Sequence, residues 1–157
     1  MRKVSKTTRR RASQRGTAYL LVLGITTMLV VFGITSAMIG RVTVEQAALN
    51  EDLAIARLAA EVGIDIMHKR IEGDTAWRGT TSNGDWSGSQ PIADAKVYFK
   101  FVDEFDGNLA NDNTQPFRLY AKAEVGDAVR VYSVEFVPDA SNNLTRRPRS
   151  FRQEPAD

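Results

Sequence analysis

The sequence predicts an α+β protein: a long N-terminal helix, first transmembrane and then amphipathic, packed on a small three-stranded antiparallel sheet. Three observations predict it. Residues 16–40 carry no charged side chain. Residues 41–72 contain no proline and place apolar residues three and four apart, the spacing of one helix face. Residues 95–137 hold three runs that alternate apolar and polar, the period of a sheet with one buried face.

Charge divides the chain before any element is drawn. The formal net charge is +2 over 157 residues. Residues 1–15 carry seven basic side chains and no acid, whereas residues 16–145 carry ten basic and seventeen acidic ones. Residues 146–157 add four arginines against Glu154 and Asp157. The chain has no cysteine and one histidine, His68. Disulfides, thiol catalysis, cysteine-based metal sites and multi-histidine metal centres are thereby excluded. The glycine-containing stretch 79–84 lacks the lysine of a phosphate-binding loop, and no serine sits in a nucleophile-elbow motif. The expectation is a protein that is not an enzyme.

The basic leader, residues 1–16, precedes an apolar run over 17–40. As a helix that run spans roughly 36 Å, enough for a hydrocarbon core of about 30 Å. Gly24, Gly33 and Gly40 would weaken a helix in water. In lipid they are tolerated, and together with Ala37 they let neighbouring helices approach. Positive charge stays on the cytoplasmic side, so the N-terminus is expected inside and the acidic body outside a cytoplasmic (inner) membrane. The leader therefore reads as a topology signal, and no nucleic-acid partner is expected.

The helix is expected to continue through 41–73, so that one helix runs from about residue 17 to residue 72. Its core stripe is Leu49, Leu53, Ala56, Ala60, Ile64, Met67 and Ile71, with a second row at Ile55, Ala59, Val62 and Ile66. Arg57–Glu61 and Asp65–Lys69 are spaced for ion pairs one turn apart. His68 falls on the polar side and reads as solvated, and Gly73 is a natural helix end.

Residues 74–94 read as a connecting loop, with Trp77 and Trp86 as anchors. The expected strands are 95–103, 117–125 and 128–137, the last two joined by a Gly126-Asp127 hairpin turn. Three strands cannot bury a face alone, and the helix stripe is the only available cover. Residues 138–157 are polar and are expected to be disordered. The loop at 104–116 carries Asp106, Asn108, Asn111 and Asp112, oxygen-bearing side chains of the kind calcium prefers. Gly107 falls at the second rather than the sixth position, so the EF-hand spacing is absent and a plain turn is the simpler reading. No other cofactor is expected.

The junction Gln14-Arg15-Gly16 followed by Thr17-Ala18-Tyr19-Leu20-Leu21-Val22-Leu23 resembles the processing site of type IV prepilins and type II secretion pseudopilins. Residues 56–71 are similar to the helix of minor pilins of the PilX type and minor pseudopilins of the GspK type, which carry the pattern A-x-x-A-A-E-x-G. The resemblance implies a pilin-like fold, cleavage between Gly16 and Thr17 by a membrane-embedded prepilin peptidase, and assembly with other pilin or pseudopilin subunits. Two departures are informative. Major pilins have glutamate at the fifth mature position, where this chain has Leu21, and a methylated phenylalanine at the first, where it has Thr17. A missing glutamate is typical of tip-located minor subunits. The alternative is an uncleaved single-pass anchor whose external α+β domain binds a ligand or partner.

Overall fold

The computed structural model describes residues 8–74, 76–139 and 143–156, with side chains from Gly16 onward. Helix α1 runs from Thr8 to Glu72 and is followed by a single-turn helix α2, Trp77–Thr80. Six strands follow: β1 (Gln90–Ile92), β2 (Ala95–Val102), β3 (Phe117–Val125), β4 (Ala128–Pro138), β5 (Leu144–Arg146) and β6 (Arg152–Glu154). The chain divides into two compact units at Gln46/Ala47.

In the first unit α1 begins upstream of the expected position, inside the basic leader. Residues 8–15 are rich in arginine with alanine and glutamine, good helix formers without proline, so nothing stops the helix at Gly16. From residue 16 to residue 46 every side chain is exposed. Several threonine hydroxyls in this stretch are satisfied within the helix. The hydroxyl of Thr27 donates to Leu23 O at 2.7 Å, that of Thr35 to Val31 O at 2.8 Å and that of Thr43 to Ile39 O at 2.8 Å. Back-bonding of this kind hides a hydroxyl where no water is available. One helix among the described residues is thus long and apolar enough to cross a membrane.

The second unit packs the C-terminal turns of α1 on one face of an antiparallel sheet. Strand order is β1-β2-β3-β4-β5, with β6 also on β4. The alternation of each strand sends one set of side chains inward: Val97 and Phe99 on β2, and Leu119, Ala121 and Ala123 on β3 are buried. The helix contributes Ala56, Ala59, Ala60, Ile64, Met67 and Ile71. Between them lies Gly63, where an added Cβ would stand 3.1 Å from Val97 Cγ1 and 3.2 Å from Phe99 Cε1. The small residues of the helix, Gly63 above all, therefore set how closely it approaches Val97 and Phe99 of β2. Beyond this seam Trp77, Phe117 and Phe136 form an aromatic cluster, with centroids 4.7 Å apart for Trp77–Phe117 and 5.5 Å for Phe117–Phe136. The Gly126-Asp127 turn joins β3 to β4 as expected, with Gly126 at φ +54° and Val125 opposite Ala128.

Several expectations need correction. Leu49 is exposed and Leu53 only half-buried, because the sheet's buried cover on α1 begins at Ala56. The sheet has six strands rather than three, and the expected loop 74–94 contains α2 and β1. The tail expected to be disordered lies instead along the outer edge of β4. β5 pairs with residues 136–138 of β4, and β6 pairs with residues 131–133. Between them the Arg147 amide donates to Glu135 O at 2.9 Å, and the Glu135 amide donates to Ser150 Oγ at 3.1 Å. A bare strand edge is a row of unmet backbone groups, and a polar segment can meet them without a hydrophobic pattern.

Overpacking the helix–sheet seam tests this geometry. Gly63→Leu gains roughly 1 kcal/mol of helix propensity but inserts a side chain costing about 3 kcal/mol of strain. The thermal midpoint followed by circular dichroism in detergent should fall by roughly 10 °C. Gly24→Leu, at a position where an added Cβ meets nothing within 4 Å, should leave it unchanged.

Candidate functional site

Three regions carry the residues singled out by sequence: the apolar part of α1, the exposed face of its continuation, and the loop between β2 and β3.

Gly16, Thr17, Gly24, Gly33, Ala37 and Gly40 all lie within α1. At about 100° per residue, Gly33, Ala37 and Gly40 share one face within about 60°, whereas Gly24 sits about 180° round from Gly33. The structure thus groups three of the four expected packing residues and separates the fourth. An added Cβ at Gly16, Gly24, Gly33 or Gly40 meets nothing within 4 Å. The small residues leave flat ground on the surface and fill no internal gap.

On the second unit α1 turns an apolar row away from the sheet. Leu58 is 60% exposed, Val62 45% and Ile66 47%, each one turn from the next. The second row expected from the sequence therefore splits, since Ala59 is buried and Ile55 packs against the core edge. Leu58 was not singled out by sequence, although its four-residue spacing to Val62 is visible there.

The polar side of this helix is less solvated than expected. His68 Nε2 lies 3.1 Å from Leu144 O and 3.2 Å from Glu72 Oε1, and its ring stands 4.6 Å from that of Phe136. Asp65 pairs with Arg146 of the tail rather than with Lys69. Arg57–Glu61 forms as expected, at 2.8 Å. Docking of the tail recruits both His68 and Asp65.

The β2–β3 loop is held by its own hydrogen bonds. The Asn108 amide donates to Asp106 Oδ1 at 2.9 Å, and the Asn111 side-chain amide donates to Asp106 Oδ2. Asp112 Oδ1 accepts from the amide and the hydroxyl of Thr114, each at 2.7 Å. These bonds hold both carboxyls below the usual range, chiefly through Asn111 for Asp106 and the Thr114 amide for Asp112. Asp106, Asn108 and Asn111 thus share one turn, while Asp112 serves the next. Among the described residues no group of three or more histidine or carboxylate side chains could hold a metal ion.

The residue that fixes this loop escaped the sequence reading. Arg78 is buried, with its guanidinium 5.1 Å from the rings of both Trp77 and Phe117. It donates to Asp112 O at 3.0 Å and to Gln115 O at 2.5 Å. Burial pushes its pKa down, against the pull of Asp103 and Asp112. A planar fork between two rings, aimed at two carbonyls, is a role lysine cannot fill. Its only signal in the sequence is its place beside Trp77.

Arg78→Ala should therefore free the loop. Removing a buried charged donor costs about 2–3 kcal/mol. Hydrogen exchange should accelerate at the Asn108 and Thr114 amides while the Ala121 amide, in the middle of β3, stays protected under native conditions.

No protein-family model, no curated protein sequence and no solved structure matches the chain.

Proposed function

We propose that the chain is a minor, non-enzymatic subunit of a type IV pilus or type II secretion pseudopilus, anchored by its N-terminal helix and processed after Gly16. In this reading the leader stays cytoplasmic, the apolar part of α1 crosses the inner membrane, and the α+β unit is external. The observation that carries it is the division of labour along α1. Residues 16–46 expose apolar side chains all round, while Ala56, Ala59, Ala60 and Gly63 serve a seam against an antiparallel sheet. A filament subunit needs both, one surface for lipid and then for sibling helices, the other to carry a folded domain.

Leu21 supports the minor assignment. It is an exposed apolar residue where a major subunit would present a carboxylate, and residues 16–44 contain no acid at all. A subunit without that carboxylate has nothing to offer a neighbour's N-terminal amine, which suits the end of a filament.

Processing supplies the decisive test. Mass spectrometry of the protein purified from membranes that contain a prepilin peptidase should find a chain beginning at Thr17, and Gly16→Ala should retain Met1. A wild-type chain that keeps Met1 under those conditions would overturn the prepilin reading in favour of an uncleaved anchor. Packing gives a second test. Ala37→Leu, on the Gly33–Gly40 face, should cut cross-linking to co-expressed pilin subunits several-fold, whereas Gly24→Leu on the opposite face should change it little.

A further inference from the structure

The solvent side of the sheet carries an ordered chequer of lysines and rings. In the register of β2 and β3, Lys100 faces Tyr120 and Tyr98 faces Lys122. The ammonium of Lys100 lies 4.7 Å from the Tyr120 ring and that of Lys122 lies 4.4 Å from the Tyr98 ring. Trp86 roofs both, its ring 4.7 Å from Lys100 Nζ and 5.6 Å from Lys122 Nζ. Trp86 reaches this place because Ser87 is tied to β2, its amide donating to Phe99 O at 2.7 Å and its Oγ accepting from the Phe99 amide at 3.0 Å.

Opposite Trp86 stands the tail. Glu154 and Pro155 close the far side of a groove of about 230 Å³ whose floor is Lys100, Tyr120, Lys122 and Val131. Glu154 is fixed there, accepting from Ser133 Oγ and Arg152 Nε, both at 2.6 Å. Lys122 leans on Glu124 at 2.9 Å, but Lys100 has no carboxylate partner among the described residues. An ammonium held between two aromatic rings, without a counter-ion and inside an otherwise acidic body, is a preorganised anion receptor.

We propose that this groove binds an acidic polysaccharide, taking one carboxylate-bearing sugar ring between Trp86 and Pro155. The carboxylate meets the ammonium groups of Lys100 and Lys122 in charge-assisted hydrogen bonds. The apolar face of the sugar rests against Val131 and Pro155. Its hydroxyls find an acceptor in Glu154 and a donor in the Tyr120 phenol, whose pKa burial pushes up, so that it stays protonated. The volume is smaller than the roughly 300–1,000 Å³ of sites that enclose whole drug-sized ligands, and it suits one ring of a longer chain. Single-stranded nucleic acid fits less well. The ring faces on which its bases would stack are taken by lysines. The inference does not depend on the filament reading, since every residue in it belongs to the second unit.

The test uses the full chain in detergent micelles, titrated with a galacturonate hexamer and followed by calorimetry and tryptophan emission. Binding should occur and should weaken as salt is raised. It should fall at least tenfold in Lys100→Gln and in Lys122→Gln, and stay within threefold of wild type in Lys100→Arg and in the distant control Lys69→Gln. The methyl-esterified hexamer should not bind. Thermal midpoints of the variants, read in parallel, separate loss of binding from loss of fold, and the two glutamine variants check each other. Absence of galacturonate binding, equal binding by Lys100→Gln and Lys122→Gln with intact folds, equal binding of the esterified hexamer, or equally tight binding of a single-stranded oligonucleotide would each overturn the proposal.

Discussion

The second unit depends on how closely one helix can approach one sheet. Gly63 of α1 lets Val97 and Phe99 of β2 come close, and Ala56, Ala59 and Ala60 of the helix share the buried core with Ala121 and Ala123 of β3. Dispersion and exclusion of water both fall steeply with separation, so a helix face of small residues gains many weak contacts that one bulky residue would prop apart. Larger groups follow towards the C-terminal end of the helix. Ile64, Met67 and Ile71 continue the seam on the helix, and Phe101, Phe117 and Phe136 with Trp77 form its aromatic end. Arg78 is held in that aromatic end, so the position of the β2–β3 loop follows indirectly from the packing beneath it.

The same constraint explains the sheet edges. Once β2, β3 and β4 are fixed on the helix, β4 has an unpaired side, and the tail is the nearest chain that can fill it. It does so in two three-residue pieces with a turn between them. Charge then fastens what the backbone aligns. Arg147 reaches Glu135 at 2.7 Å, Arg146 reaches Asp65, and Leu144 inserts beside the core. Exposed ion pairs of this kind contribute little singly, so the backbone pairing and the buried leucine hold the tail and the arginines set its register.

This division separates what the residues disclosed from what they did not. The three long strands were legible because each has enough residues to display alternation, and the helix was legible because its stripe repeats over several turns. β1, β5 and β6 have three residues each, too few for a period, and they form because an edge awaits them. The Asp65–Lys69 spacing allowed an ion pair, but Arg146 arrived from eighty-one residues away and took the carboxylate. His68 looked solvated because the strand that covers it could not be seen. Local pattern thus identified what each segment can do alone, and the errors lie where a partner distant in sequence decided the outcome. The candidate sites divide the same way. Helical geometry could have separated Gly24 from Gly33, Ala37 and Gly40, whereas the lysine–aromatic chequer needs the register of β2 against β3 and the return of Trp86.

The first unit poses a different physical problem, and its solution points outward. Its apolar side chains have no cover within the chain, and its threonines have already turned their hydroxyls to backbone carbonyls. A helix with that surface in water would carry the full cost of exposing every leucine, valine and isoleucine it has. The cover must come from lipid, from other helices, or from each in turn. A face made of Gly33, Ala37 and Gly40 bears on that choice. In lipid alone such residues bring no benefit over leucine, because lipid tails conform to any outline. Against another helix they permit backbone approach and van der Waals contact that leucine would prevent. The proposed filament is one arrangement that would supply such a neighbour, and in it that face would have a use that the bilayer alone does not give it.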